Sequence, residues 1–280
     1  MAISINTNVG SLNAQRNLNR TQTSQARNLA RLSSGLRINQ ASDDAAGLAI
    51  SEKLSSQVRS LSQAQRNAND AVSLLQTAEG AMNETSGLLI RMRELSVQSA
   101  NDTVGSTERQ FLQNELSDLR DEVNRIAEVT EFNGTKLIDG TATSLTFQVG
   151  INNTTNDRIS VGINDMHAAA LGTSTAASLA AVNINTITGA QSALSVLDDA
   201  ITDVSAGRAE LGAVQNRMAV SIQNLATAGE NLAAANSRIR DADIAQESAA
   251  LTKNSILMQA GVSVLAQANQ QPALALSLLG

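Results

Sequence analysis

His167 is the only histidine of the chain, and it stands before an Ala-rich stretch without a second imidazole or a thiol to work with. With no cysteine, thiol nucleophiles, His/Cys zinc centres and disulfide frameworks are all excluded. No His-Glu-x-x-His sequence is present, which removes metalloprotease chemistry. The adjacent carboxylates Asp43/Asp44 and Asp198/Asp199 have the residue type for general acid–base work, but no aromatic-lined pocket is in prospect around them, so solvated or helix-capping roles are expected. Asp241 and Asp243 lack the oxygen-ligand density and turn glycine of a calcium loop. Asn83-Glu84-Thr85 and Asn133-Gly134-Thr135 fit the N-glycosylation pattern, a match common by chance. No catalytic residue, cofactor or metal is expected, and an enzyme reading has nothing to rest on.

Composition points to helix packing. Of 280 residues 42% are hydrophobic, yet only Phe111, Phe132 and Phe147 are aromatic, and all lie in the middle third. Both ends must pack through aliphatic side chains and alanine, which suits close helix–helix contact better than a thick core. Pro272 is the single proline, so no earlier helix is interrupted. A net charge of −6 argues against nucleic-acid binding. No segment reads as a membrane span, and the start Met1-Ala2-Ile3-Ser4-Ile5-Asn6 lacks the basic region and apolar run of a secretory signal. Export, if it occurs, is expected by another route. The first 42 residues carry Arg16, Arg20, Arg27, Arg31 and Arg37 without an acidic residue, but no cleavage boundary of an organellar transit peptide follows them. From Asn254 to Gly280 nothing is ionisable, and the polar amides scattered there favour burial against protein over lipid.

Hydrophobic periodicity supplies the architecture. Ala190, Leu197, Val204, Leu211, Met218, Leu225, Leu232 and Ile239 recur every seven residues, the mark of one long helix of roughly 80 Å with a narrow seam. The second seam is taken three residues before each of these; there Arg208, Gln215, Gly229 and Asn236 weaken it, and they are expected to act as contacts that set register between subunits. A second run holds Leu54, Leu61, Ala68, Leu75, Met82 and Leu89, with mostly small residues, including Ala64, Ala71 and Ala78, three positions later. Large residues on one stripe and small ones on the next let two such helices interlock.

A third helix is expected from near Thr107, where Thr107 and Gln110 have capping-box spacing, with Leu112, Leu116, Leu119, Val123 and Ile126 as its apolar face. Asn133-Gly134 and Asp139-Gly140 mark turns, and Leu145, Phe147, Val149 and Ile159, Val161, Ile163 alternate as a small β-hairpin region within 132–165. The termini carry weaker stripes, Leu29, Leu32, Leu36 and Ile244, Leu251, Met258, Leu265, each needing a partner to cover it. The expected fold is mainly α: an elongated antiparallel helical bundle or coiled-coil rod over 43–240, with the terminal helices, 1–42 and 241–280, paired at one end. Because isolated helices of this kind are marginal in water, the termini are expected to be disordered in the monomer and to order on assembly.

Specific residues then carry a family resemblance. Leu32-Ser33-Ser34-Gly35-Leu36-Arg37-Ile38-Asn39 followed by Asp43-Asp44-Ala45-Ala46-Gly47-Leu48-Ala49-Ile50 resembles the N-terminal signature of bacterial flagellin. Met92 to Asn101 and Glu131 to Leu137 are similar to its next two blocks. Ser237-Arg238-Ile239-Arg240-Asp241-Ala242-Asp243, Gln259 to Gln270 and Leu276-Ser277-Leu278-Leu279 are similar to its C-terminus. The resemblance covers roughly 1–140 and 190–280. Only about fifty residues separate these regions, which implies a short form without large outer domains. Gly280 stands where a basic residue is the family pattern, and the single histidine excludes a metalloprotease insert.

The resemblance implies a secreted subunit of the flagellar filament, exported unfolded by the flagellar type III apparatus. Its implied partners are further copies of itself in a helical filament, an export chaperone on the C-terminal segment, and the filament cap and hook-junction proteins. Host Toll-like receptor 5 is a further implied partner, with Arg91, Leu95, Gln98 and Glu115 as contact candidates. Two other readings stand beside it: a hook–filament junction protein, and a coiled-coil scaffold that stops at a small oligomer.

Overall fold

The computed structural model describes residues 7–173 and 177–277, with residues 271–277 as backbone only. Met1–Asn6 and the Leu278-Leu279-Gly280 end of the C-terminal signature lie outside the described residues. In chain order the elements are α1 (Val9–Ser34), α2 (Ala45–Ser99), α3 (Ser106–Val129), strands β1 (Glu131–Phe132), β2 (Thr135–Lys136), β3 (Leu145–Gln148) and β4 (Arg158–Val161), α4 (Ile187–Arg240) and α5 (Ile244–Ser277). The chain forms two compact units, one of residues 59–229 and one of residues 1–58 with 230–280. The boundaries expected at 42/43 and 240/241 fall in the non-helical turns flanking α2 and α4, whereas the compact units divide inside those two helices.

In the 59–229 unit, α2 buries Leu61, Ala64, Ala68, Ala71, Leu75, Ala78, Met82, Thr85, Leu89 and Met92 at alternating spacings of three and four. That is the expected seam, large and small stripes together. The facing seam of α4 corrects the expectation. Its buried seam residues are Ala190, Ala193, Leu197, Ala200, Val204, Gly207, Leu211, Val214 and Met218, with Val196 buried beside them. The second stripe thus lies three residues after the large one, not before it, and is small as on α2. Met82 sits against Gly207, its sulfur 3.7 Å from where a β-carbon would stand. Knob and hole fit because α4 lacks a side chain there. The helices run antiparallel: Arg93 bonds Asp198 at 2.6 Å and Gln215 Nε2 donates to Glu79 at 2.9 Å. Gln215 therefore pins α4 to α2 within the chain, which corrects its expected role between subunits.

Helix α3 closes the bundle with Leu116, Val123 and Ala127. It starts at Ser106 with Gly105 as its extended N-cap and no capping side chain, so the Thr107/Gln110 box does not form. Gln110 instead donates to Asn114. The Glu108 carboxylate folds back so closely that a β-carbon on Gly105 would lie 2.3 Å from it, placing negative charge at the helix N-terminus. Arg109 reaches the Ser99 and Asn101 carbonyls, which caps the end of α2.

The hairpin pairs Leu145 with Val161 and Phe147 with Ile159, as the alternation predicts. Asn133 and Gly134 both take positive φ, 51° and 78°, the backbone a two-residue turn between β1 and β2 requires. The connector from Gly162 to Thr186 is more deeply buried than its Ala- and Thr-rich sequence suggests. Met166, Leu171, Leu179 and Ile184 enter the core, and the backbone N–H groups of Ala168 and Ile184 donate to Asn124 and Gln113 of α3.

The Met82–Gly207 contact yields the first prediction. Gly207→Ala meets only ordinary contact distances and is expected to be neutral or stabilising by about 0.5–1 kcal/mol through helix propensity. Gly207→Leu would overpack the seam and cost about 1–3 kcal/mol. Urea unfolding of the two variants distinguishes these outcomes, and a Leu variant as stable as the Ala variant would contradict the interlock.

Candidate self-association surface

The unit of residues 1–58 and 230–280 is held by an antiparallel pair, α1 on α5. Asn8 caps α1 by accepting from the Ser11 N–H and donates to the Ala268 carbonyl at 2.7 Å. Ser11 bonds Asn269 at 2.7 Å, Gln25 donates to Ser255 at 3.2 Å, and Arg31 pairs with Glu247 at 3.0 Å. The seam these residues define alternates by three and four on both helices. On α1 it runs through Ala14, Leu18, Thr21, Gln25, Asn28 and Leu32; on α5 through Glu247, Leu251, Asn254, Met258, Gly261 and Leu265. Gly261 admits Leu18, whose Cδ1 would lie 3.2 Å from a β-carbon there.

Polar groups are therefore buried in this seam. With its amide oriented to satisfy its neighbours, Asn28 donates to Glu247 and the Ser24 carbonyl and accepts from Asn254. Glu247 thus receives both Asn28 and Arg31. A polar layer of this kind admits one register, because sliding either helix by a turn strands a buried carboxylate.

The two signature blocks meet at the ends of this pair. Gly35, at φ 71°, ends α1 in the left-handed conformation, and its carbonyl accepts from the Ala242 N–H. Leu36 bridges Asp241, and the Arg37 N–H donates to the Arg240 carbonyl at 2.7 Å. The Arg37 guanidinium donates to the carbonyls of Arg238 and Ile239, a cation on the C-terminus of α4. Arg240 in turn bonds Glu52 at 2.9 Å. Asp44 accepts from the Gly47 N–H, and a β-carbon on Gly47 would strike both Asp44 and Ile38, which fixes glycine at that position. Asp243 caps α5 in the same way.

The N–H groups of Asn39 and Gln40 hold the Asp43 carboxyl below its ordinary pKa, with a smaller pull from Arg31 and Arg27. A lowered carboxyl stabilises the fold above its unfolded value and loses that contribution as pH falls through the lowered one. Asp43, Asp44 and Asp198 are thus turn, cap and ion-pair groups, Asp198 being paired with Arg93, whereas Asp199 Oδ2 is buried without a hydrogen-bond partner; His167 Nδ1 lies 2.6 Å from Asp165 in the connector.

Burial in this unit is inverted. Ile38 is the one fully buried hydrophobic side chain among its described residues. Nine large apolar side chains stay roughly half exposed or more, from Leu257 at 47% to Val9 at 63%, with Leu12, Leu29, Ile50, Ile244, Ile256, Val262 and Val264 between. Full burial of such a side chain is worth about 1.5–3 kcal/mol, so each leaves roughly 1 kcal/mol unrealised. These side chains are apolar surface that no described element of the unit covers. Of the sequence-read candidates, Leu32, Leu36, Leu251, Met258 and Leu265 are half-buried in or beside the seam, whereas Leu29 and Ile244 face outward. The outward set Ile256, Leu257, Val262 and Val264 escaped the seven-residue reading because it lies off that stripe.

On the other unit the structure separates the four receptor candidates. Arg91, Gln98 and Glu115 reach solvent, and Arg91 bridges Glu94 and Glu115 at 3.0 and 2.7 Å. Glu115 raises the Arg91 pKa, with Glu94 adding to it. Leu95, by contrast, is 1% exposed. It belongs to the core, since its helical position adjoins the Met92 and Ser96 seam, and so is corrected out of the surface set. The upper part of the expected seam is equally clear: Leu197, Val204, Leu211 and Met218 are buried, while Leu54, Leu225 and Leu232 are half-buried.

A long-helix protein with a polar register layer and uncovered apolar helix faces belongs to the class of self-assembling structural subunits. Comparison with known proteins gives the family. Residues 5–143 match the bacterial flagellin N-terminal helical region and residues 194–279 the bacterial flagellin C-terminal helical region. The chain is 48% identical to a flagellin of Bacillus subtilis, over 98% of this chain and 99% of that one. It is 46% identical to a flagellin of Halalkalibacterium halodurans, with the same coverage of each. A flagellar filament 33 kDa core protein of Treponema phagedenis is 44% identical, again over 98% and 99%. The chain belongs to the flagellin family: it is a structural subunit of the extracellular bacterial flagellar filament, not an enzyme.

The polar layer makes the second prediction. In a double-mutant cycle of Arg31→Ala and Glu247→Ala, a coupling of about 1–2 kcal/mol is expected, read as local opening of α1 by hydrogen exchange. Coupling indistinguishable from zero would show that register is set elsewhere in the seam.

Proposed function

We propose that α1 and α5 are the polymerisation surface and that residues 1–42 and 241–280 pair as the inner layer of the filament, with residues 43–240 as the layer around it. The observation that carries this reading is the set of large aliphatic side chains left open on α1 and α5 after their own seam, with its polar register layer, is already closed. Neighbouring copies cover those faces head to tail, a heterologous contact that does not close. The same exposed stretch of α5, with no ionisable side chain from Asn254 on, is the segment an export chaperone covers before secretion through the flagellar type III apparatus. Cap and hook-junction proteins meet the same terminal helices.

Exposure of Arg91, Gln98 and Glu115 on one face supports a second surface, for Toll-like receptor 5, with Leu95 supporting it from beneath. The ion pairs of Arg91 preset the guanidinium, so Arg91→Ala is the variant that tests receptor activation most directly.

Sedimentation at rising concentration separates the filament from the scaffold reading. A filament subunit keeps growing once seeded; a scaffold stops at a defined size. Deleting residues 1–40 or 245–280 is expected to abolish filaments in electron micrographs while the 59–229 unit, which has its own buried core, keeps its cooperative melting. Filaments of normal length from either truncation would overturn the assignment.

A further inference from the structure

Helix α1 carries Arg16, Arg20 and Arg27, all exposed, and no acidic residue. Its seam with α5 runs through Ala14, Leu18, Thr21, Gln25 and Asn28, so the three arginines take outward positions of the same seven-residue frame. Arg16 and Arg20 stand four residues apart, the spacing at which like charges on a helix repel. Among the described residues none of the three has an ion-pair partner. Arg16 reaches only the Asn13 amide, at 3.5 Å, and Arg27 exerts no more than a distant pull on Asp43. Arg31, Arg37 and Arg240, by contrast, each meet an acceptor inside the unit. An uncompensated basic stripe is locally unfavourable in the single chain, a conflict that a counter-charge from outside resolves.

The chain itself holds the complement. Residues 1–58 with 230–280 contain 9 Lys and Arg against 7 Asp and Glu, whereas residues 59–229 contain 11 against 19. On α3 alone, Asp118, Asp121 and Glu128 are exposed. A second copy brings one such acid-rich region for every basic stripe. We propose that the outward basic face of α1, Arg16, Arg20 and Arg27, docks against acidic side chains of the 59–229 region of a second copy. The proposal rests on the polymerisation reading and adds to it an electrostatic contact distinct from the apolar one. Complementary charge of this kind steers encounter and sets register more than it adds affinity.

The test follows elongation of the purified full-length chain from filament seeds as salt rises from about 0.01 to about 1 M, over which the Debye length falls from about 30 to about 3 Å. Wild-type elongation is expected to slow at least several-fold. The variant R16Q/R20Q/R27Q is expected to elongate about tenfold more slowly at low salt and to lose the salt dependence. R16K/R20K/R27K keeps the charge and most of the rate. Far-UV circular dichroism of all three checks the helices, which these exposed positions do not support. A Gln variant that elongates like wild type at low salt overturns the proposal, as does wild-type elongation that quickens with salt. So does a Gln variant that elongates normally but loses binding to phosphatidylserine vesicles, which assigns the stripe to anionic lipid. Failure of the wild type to elongate at any salt refutes the polymerisation reading itself, and this proposal with it.

Discussion

The seam between α1 and α5 joins a polar layer to half-buried aliphatic side chains, while a second set of large aliphatic side chains on the same helices stays open to solvent. Asn28, Arg31, Glu247 and Asn254 bond one another inside it, though Arg31 Nε has no partner, while Leu12, Leu29, Ile256 and Val264 face out. In a self-sufficient domain the hydrophobic term would bury the outward set as well. Here the buried polar groups give the pair one register at modest stability. The exposed aliphatic groups are apolar surface that, on the proposed reading, another chain covers. Stability and assembly are separated between the two faces of the same helices.

The 59–229 unit is built on the other logic. Its two long helices interlock large on small, as where Met82 lies over Gly207, and α3, the hairpin and the connector seal what remains. Such a core needs no partner. One unit thus has a closed core of its own, and the other leaves large apolar side chains open.

How much of this was legible in the sequence depended on how a residue's type registers in a hydrophobic pattern. The α2 seam could be read whole, because Leu and Met recur every seven and alanine follows three later. On α4 one stripe was equally clear, but the second was placed on the wrong side of it: Ala193, Ala200 and Gly207 carry little hydrophobic signal, although close packing is what selects them. The hairpin was legible from alternation and from Asn133-Gly134. The connector was not, since Met166, Leu171 and Ile184 follow no period, and the backbone is held at Ala168 and Ile184 by side chains of α3. In the candidate surface, Leu251, Met258 and Leu265 were found by their spacing. Asn28 and Glu247 were not, because a pattern search counts polar residues as solvent-facing. The Thr107/Gln110 spacing failed for a related reason: Gly105 and Glu108 start the helix one residue earlier.

The central claim is that the outer faces of α1 and α5 are completed by neighbouring copies. Amide hydrogen exchange on the purified monomer and on filaments of the same protein tests it directly. The account predicts that amides of α1 and α5 exchange readily in the monomer and become strongly protected in the filament, while those beside Leu75, Met82 and Leu211 are slow in both. Filaments in which α1 and α5 exchange as fast as in the monomer would contradict it.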